Sequence, residues 1–238
     1  MKNVIHWLML KWRSFTNSRI ISSFYYILFP TWTKRLSQEF ANCDTVLDLG
    51  CGYNSPIQHC HIPFSVGVEV FEPYLIEARK KGIHDEYIRA NVTELEIAQK
   101  SFDAVMAIEI IEHLTKEEAY RLIEKMEIWA RNKVIISTPN GYIQQDGYDN
   151  NPSQVHKSGW TTNEFKNLGY RVHGKNGWKI LRGDRGLLKF KPTFLWQVIS
   201  DITQRITYYY PELATQLFAT KRIESRKINE LCAGKRND

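Results

Sequence analysis

The sequence predicts an α/β fold: a doubly wound, mostly parallel seven-stranded sheet with an N-terminal helical cap and a helical insertion before the last strand. Two observations lead to this prediction. Between residues 44 and 174, short apolar segments alternate with stretches of helical periodicity, as in parallel strands joined by crossover helices. A glycine-rich turn, Gly50-Cys51-Gly52, directly follows the first apolar segment, where such folds place a tight turn between strand and helix.

Six strands are predicted between residues 44 and 174, and a seventh is predicted near the C-terminal end of the domain. They are Thr45–Leu49, Phe64–Glu69, Tyr87–Ala90, Phe102–Ile108, Lys133–Ser137, Tyr170–His173 and Leu213–Thr220. One helix is predicted from Pro73, which suits a first helical position, to Gly82. Two capping boxes, at Thr115 and Thr161, predict the starts of two more helices. A long polar loop lies between the fifth strand and the second capping box.

The chain is predicted to have three parts. Residues 1–43 form an N-terminal helical cap, residues 44–223 form the α/β domain, and residues 224–238 form a basic tail. Within the domain, residues 175–210 are predicted to be an insertion that covers the substrate. A helix capped by Thr193 would present five aliphatic residues on one face. These residues are Leu195, Val198, Ile199, Ile202 and Ile206.

Composition and charge narrow the class of protein. The length of 238 residues suits one domain with additions, and four cysteines without a CxxC pair favour reduced thiols in a cytoplasmic protein. The net charge is +5 over residues 1–43, −7 over 44–170 and +8 over 171–238. The basic flanks predict an anionic partner, or simply a solvated surface. Two short apolar runs before residue 31 favour a cap over the core, with contact to a membrane surface as the alternative.

The turn after the first strand and the acidic residue after the second predict the cofactor. Asp48 precedes the first glycine by two residues, and Asn54 stands where a dinucleotide-binding loop would have its last glycines. Glu69 ends the second strand, where its carboxylate can accept hydrogen bonds from both hydroxyls of a ribose. A pyrophosphate would lie poorly beside Asp48. These features disfavour NAD.

Four segments in this order resemble class I S-adenosylmethionine (SAM)-dependent methyltransferases, particularly the ubiquinone-type O-methyltransferases. They are Val46–Gly52, Gly67–Glu69, Phe102–Val105 and Glu109–Leu114. The resemblance covers about residues 44–174 and the last strand. It implies a Rossmann-like domain and SAM as the cofactor.

The resemblance also implies roles for single residues. Gly50, Cys51 and Gly52 would pass under the methionine part of SAM, with Asp48 near its amino group. Glu69 would hold the ribose. The adenine would lie against Val70, Phe71 and the pair Asn91-Val92, and Glu109 would lie near the methionine end. Asn91 stands where the family often has Asp, which removes a charge from the adenine contact.

The second half of the site is predicted after the fourth and fifth strands, since ligands bind at the carboxyl ends of open α/β sheets. Glu112 and His113 follow the fourth strand, and His156 lies in the polar loop. Glu112 and His113 would either fix the loop through hydrogen bonds, act in catalysis, or hold a divalent metal, as a similar cluster does in ubiquinone-type relatives. A site without metal is the favoured prediction. His156 would be a general base or acceptor contact, or an ordinary loop residue.

The predicted activity is methyl transfer to a polar small-molecule, glycan or lipid-linked acceptor, with oxygen as the expected atom. Two alternatives remain. The basic flanks permit a nucleic-acid acceptor, although no Asn-Pro-Pro-Tyr type of motif follows the fourth strand. A non-catalytic SAM-binding scaffold is the other alternative.

Overall fold

The computed structural model describes residues 32–147, 149–183 and 187–224. A seven-stranded sheet organises the domain, and helices flank it. The strands are β1 (Thr45–Leu49), β2 (Phe64–Glu69), β3 (Glu86–Arg89), β4 (Phe102–Ile108), β5 (Ala130–Pro139), β6 (Arg171–Trp178) and β7 (Ala214–Arg222). The helices are α1 (Trp32–Glu39), α2 (Glu72–Lys81), α3 (Lys116–Trp129), α4 (Thr162–Asn167) and α5 (Thr193–Tyr209). This architecture confirms the predicted fold class.

The strand order is β3-β2-β1-β4-β5-β7-β6. Each of the pairs β2–β3, β1–β2, β1–β4 and β4–β5 is parallel, whereas β7 is antiparallel to both of its neighbours. The order reverses direction at β1, and open α/β sheets bind ligands at the carboxyl ends of the strands beside such a point. The topology therefore places the predicted site residues at one edge of the sheet.

Two apolar cores lie on opposite faces of the sheet, because successive side chains of a strand point to opposite sides. On β1, Leu47 and Leu49 belong to one core and Val46 to the other. The first core packs α3 and α4 against the sheet, and the second packs Leu36 of α1 and Phe40. The capping boxes at Thr115 and Thr161 are both formed, as predicted.

Several boundaries differ from the prediction. Strand β6 does not end at His173 but continues to Trp178, because its pairing with β7 continues to Ala214. It therefore enters the segment predicted as an insertion. Thr193 is the first residue of α5 and not its cap; Pro192 holds the capping position without a side-chain hydrogen bond.

Part of the prediction lies outside the described residues. This applies to residues 1–31 of the predicted cap and to 225–238 of the predicted tail. Among the residues that the structure describes, no helix combines the length and the apolar character needed to cross a bilayer.

Candidate active site

A cavity of about 710 Å³ opens at the carboxyl ends of β1, β2, β4 and β5. It brings together nearly all the residues predicted for the site. Those lining it are Asp48, Gly50, Cys51, Gly52, Glu69, Val70, Asn91, Val92, Glu109, Glu112, His113 and His156. Phe71 is not among the lining residues; its ring packs edge-on against Tyr74, 4.9 Å between centroids.

The turn after β1 depends on two glycines with positive φ. Gly50 has φ +64°, and a Cβ there would overlap the Ile110 side chain, with Cγ1 at 2.7 Å. Gly52 has φ +56°, and a Cβ there would meet nothing within 4 Å. Both positions favour glycine because L-residues rarely adopt this backbone conformation. Gly50 has a second requirement for glycine, because its surroundings leave no room for a Cβ.

Glu69 ties this turn to β2. Its Oε2 accepts a hydrogen bond from the Gly52 backbone N–H at 3.0 Å, and its Oε1 accepts one from the Phe71 N–H at 2.8 Å. Burial raises the pKa of the Glu69 carboxyl, and the backbone donors oppose that rise. Each oxygen keeps a second lone pair, so the carboxylate can still accept hydrogen bonds from a ligand in the cavity.

Asp48 is almost fully buried at the end of β1. Its Oδ2 accepts from the Ser55 hydroxyl at 2.6 Å and lies 2.9 Å from Nε2 of His84. The His84 side chain has no solvent exposure, and its Nδ1 has no hydrogen-bond partner among the described residues. Because the Asp48 carboxylate accepts, Nε2 of His84 carries the proton of this contact. Neither Ser55 nor His84 was predicted for the site.

Glu109 begins the loop after β4 with φ +57°, a strained conformation for this residue. Three donors hold its carboxylate: the Ser137 hydroxyl at 2.6 Å, Gln216 Nε2 at 2.7 Å and Lys175 Nζ at 3.4 Å. The Lys175 ammonium also lies 4.1 Å from the centre of the Trp32 ring. This network fixes Glu109 at the wall of the cavity between β4 and β7.

Glu112 and two histidines form another part of the cavity wall. Glu112 is 2% exposed and accepts from the Thr138 hydroxyl at 3.0 Å. Burial and the nearby Glu109 raise the pKa of the Glu112 carboxyl well above its usual range. Burial, together with His156, lowers the pKa of His113 to about 4. At neutral pH the His113 imidazole in this wall is therefore neutral.

Backbone carbonyls set the orientation of both rings. Nδ1 of His113 lies 3.2 Å from the Val155 carbonyl, and Nδ1 of His156 lies 2.7 Å from the Ile143 carbonyl. Because a carbonyl only accepts, Nδ1 of each ring carries a proton, which leaves Nε2 as the ring nitrogen that is not engaged by these carbonyls. The ring centroids are 4.7 Å apart.

The same three side chains, Glu112, His113 and His156, could hold a metal ion. Their ligand atoms lie within 4.8 Å of one another, and a carboxylate with two imidazoles suits a divalent transition metal. The described residues offer one group of three or more His, Cys, Asp or Glu side chains whose ligand atoms are close enough to hold a metal ion, and it is this group.

The polar loop after β5 closes one side of the cavity. Ile143, Gln145 and Gln154 line the cavity, and Asp149 accepts a hydrogen bond from the Tyr74 hydroxyl of α2 at 2.8 Å. Tyr142 is exposed and does not line the cavity. The loop therefore reaches from β5 back to α2, across the opening.

Sequence reasoning missed His84, Ser55, Lys175 and Gln216. Lys175 and Gln216 lie 66 and 107 residues from Glu109, and their contacts exist only because β6 and β7 return beside β5. No local motif marks these residues. Ser55 could have been found, because a hydroxyl seven residues after Asp48 follows the same glycine turn.

Comparison with known proteins supports the prediction from the sequence motifs. Residues 47–133 match the family model described as a methyltransferase domain. No curated protein matches the chain.

Solved structures share the fold at low identity. A SAM-dependent methyltransferase from Archaeoglobus fulgidus is 17% identical with a TM-score of 0.51, covering 84% of this chain and 99% of its own. One from Mesorhizobium loti is 16% identical with a TM-score of 0.51, at 81% and 98% coverage. The plantazolicin methyltransferase BpumL, solved with S-adenosylhomocysteine (SAH), is 18% identical with a TM-score of 0.50, at 90% and 93% coverage.

The small RNA methyltransferase HEN1 also shares the fold, with 17% identity, a TM-score of 0.51 and coverage of 81% of this chain and 24% of its own. These likenesses establish the fold, and residues 47–133 match the methyltransferase-domain model. With the glycine turn after β1 and the acidic end of β2, they support a class I SAM-dependent methyltransferase.

Proposed function

We propose that the protein methylates a hydroxyl group of a polar small-molecule, glycan or lipid-linked acceptor. The observation that supports this proposal is the pair His113 and His156, which line the same cavity as the glycine turn and Glu69 and whose Nδ1 atoms are held by backbone carbonyls. An imidazole is suited to take the proton that a hydroxyl must lose on methylation.

The donor half of the cavity suits SAM. Gly50 and Gly52 let the backbone come close to the methionine part, and Glu69 offers carboxylate lone pairs to the ribose. Asp48 uses only Oδ2 for its described hydrogen bonds, which leaves Oδ1 for the donor's ammonium. The wall formed by Val70, Asn91 and Val92 would receive the adenine.

The bound donor supplies an electrophilic methyl group, whose S–C bond breaks as the new C–O bond forms, leaving a neutral thioether. Placement of the acceptor oxygen in line with that bond supplies most of the rate. Glu109 is held by Ser137, Gln216 and Lys175, so the wall beside the reacting groups is rigid.

We assign the role of base to His156. His113, with its pKa lowered to about 4, is a weak proton acceptor at neutral pH. His156 is buried and oriented by the Ile143 carbonyl, and its Nε2 would take the acceptor proton. Glu112, whose pKa is raised by burial and by Glu109, would lie beside the acceptor.

A divalent metal at Glu112, His113 and His156 is the competing arrangement. The residues fit, since one carboxylate and two imidazoles each place a ligand atom within 4.8 Å of the others. Such an ion would lower the pKa of an acceptor hydroxyl that it contacts. His156 would then be a ligand and not a base.

A nucleic-acid acceptor is the runner-up. HEN1 acts on small RNA by its name, and the flanks of this chain are basic. The cavity favours a compact acceptor over a nucleic acid. The loop after β5 crosses the cavity opening to reach Tyr74 and so narrows the access. Transfer of label from SAM to an RNA pool, lost at raised salt, would favour the nucleic-acid reading.

The test is turnover of isotopically labelled SAM with cell extract, read by mass spectrometry, for His156→Ala and for the matched variant His61→Ala. We expect His156→Ala to lower turnover by about 100-fold or more without weakening SAH binding. His61 is exposed and does not line the cavity, so its variant should behave as the parent protein. Unchanged turnover in His156→Ala retires the role of base.

Turnover measured with a chelator distinguishes the two roles proposed for His156, general base and metal ligand. If His156 is a base, a chelator leaves the turnover of the parent protein unchanged. Loss of turnover on chelation, restored by added Mg²⁺ or Zn²⁺, would assign the three residues to a metal. Failure of SAH to bind at millimolar concentration would contradict the donor site itself.

A further inference from the structure

Helix α5 covers an edge of the sheet and not a face. Strand β6 ends the sheet, so its outer backbone groups have no neighbouring strand. Gly174 and Gly177 of β6 let the helix approach closely: a Cβ at Gly174 would overlap the Thr207 carbonyl, and one at Gly177 would overlap the Ser200 carbonyl. The helix backbone thus lies directly against the strand.

This position requires the polar side of α5 to face inward. Gln204 donates to the Gly174 carbonyl at 2.9 Å and accepts from the Gly177 N–H at 2.8 Å. Thr203 accepts from the Trp178 N–H at 3.2 Å. These side chains supply the hydrogen bonds that a further strand would give to the edge. Ser200 and Thr207 are buried in the same interface.

The apolar side of α5 therefore faces outward. Leu195, Ile202, Ile206 and Tyr209 follow the helical repeat on the side opposite Gln204, and they are 47, 52, 56 and 75% exposed. We call these four residues the outer face of α5. In a soluble helix the apolar stripe normally packs on the core. An exposed stripe of this kind marks a surface for a partner.

Basic and aromatic side chains border the outer face. The segment before α5 exposes Lys179, Lys189 and Lys191, and the ring of Phe190 packs 4.7 Å from that of Trp196 on α5. Among the described residues of α5 and of the segment from 179 to its start, the acidic side chain is Asp201, which accepts a hydrogen bond from Gln197 at 2.8 Å, and Arg205 adds an exposed basic side chain. The surface thus combines an aliphatic stripe with positive charge at its border.

We propose that the outer face of α5 docks on an anionic phospholipid bilayer. Helices that lie in a bilayer surface bury an apolar stripe at the level of the headgroups, with lysines reaching the phosphates. A helix of this length covers about 25 Å of surface. Charge decides between partners: the three lysines attract an anionic surface, and they would repel one another across a symmetric interface of two copies.

The outer face of α5 lies close along the chain to residues that line the cavity. Tyr209 is followed by a short turn, Pro211–Leu213, and then by Thr215 and Gln216, which line the cavity. Leu213, also exposed, lies in that turn. The outer face and the rim of the cavity are therefore neighbours along the chain. Within the proposed function, this favours an acceptor linked to a lipid, although the docking itself does not depend on the acceptor.

Co-sedimentation of the full chain with vesicles tests the proposal. Vesicles of phosphatidylglycerol and phosphatidylcholine should bind the protein, and phosphatidylcholine alone should bind it much less. The double variant I202E/I206E should lose about tenfold or more in vesicle affinity. The matched control is I76E/I128E, which changes two exposed isoleucines on α2 and α3. It should bind as the parent protein does.

Three results would overturn the proposal. The first is no binding to anionic vesicles by the parent protein. The second is equal binding by I202E/I206E, which assigns any membrane contact to another part of the chain. The third is a change in oligomeric state or a fall in unfolding midpoint for I202E/I206E without vesicles, because the face is then covered by a second copy or by the chain itself. SAH binding by each variant reports that the domain is folded, independently of any acceptor.

Discussion

The two halves of the cavity are built differently. In the donor half, between β1 and β2, the contacts join residues that are close in the sequence: Gly52 with Glu69, and Asp48 with Ser55. In the acceptor half, the contacts join distant residues, such as Glu109 with Lys175 and Gln216. This difference indicates that the site for a cofactor shared by many enzymes of one fold can be built from a short stretch of sequence. The rest of the cavity is free to vary, because function depends on the particular site placed on the fold.

The largest expected effect lies in the donor half, at Gly50. Gly50→Ala places a Cβ against Ile110 at φ +64°, so the turn must move away from the ligand. We expect SAH affinity to fall by about 100-fold or more and the free energy of unfolding by about 1–3 kcal/mol, measured by calorimetry and denaturant titration.

Gly82→Ala is the matched control for Gly50→Ala. Gly82 has φ +61°, but a Cβ there meets nothing within 4 Å, and it lies at the end of α2. Its variant should pay a conformational cost of about 1 kcal/mol and bind SAH normally. Equal SAH affinity in the two variants would contradict the role given to the turn.

A smaller loss is expected for Glu69→Gln. The amide keeps one acceptor oxygen, so it cannot serve both the Gly52 and the Phe71 N–H groups and still accept from a ribose. SAH affinity should fall on the order of 10- to 50-fold. The control Glu72→Gln removes an exposed carboxylate that pairs with Arg89 and should change affinity by less than about twofold. Unchanged SAH affinity in Glu69→Gln would contradict the claim that the contacts of Glu69 build the donor half.

The contrast between the halves also explains what the sequence could predict. The sequence predicted strand β1, the glycine turn and Glu69 because their signals are local. These signals are the alternation of apolar segments with helical stretches, the glycines after a strand, and an acidic residue at a strand end. The network around Glu109 was not, since β6 and β7 bring its partners from far along the chain. On α5 the repeat of aliphatic residues indicated a stripe but not its direction, which the unpaired edge of β6 sets. The roles of single site residues stay predictions.

His84 is the exception in the donor half, because it reaches Asp48 from 36 residues away. His84→Phe keeps a ring but removes the donor to Asp48 Oδ2, which leaves the carboxylate less firmly placed for the ammonium of SAM. SAH affinity should fall by about 3- to 10-fold. His84→Gln can place an amide N–H near the position of Nε2 and should recover most of the loss. If His84→Gln and His84→Phe bind equally weakly, His84 serves packing and not the position of Asp48.

The smallest effect is expected from Glu112, in the acceptor half. Its folded-state pKa is raised, so stability from this group is fully present below the pKa of the unfolded chain and is lost as pH rises through the folded pKa. Glu112→Gln removes that titration. In metal-free buffer its unfolding midpoint should exceed that of the parent protein by about 3 °C at pH 8 and match it at pH 4. An added divalent ion that stabilises the parent protein but not Glu112→Gln would instead show that this wall is built to hold a cation.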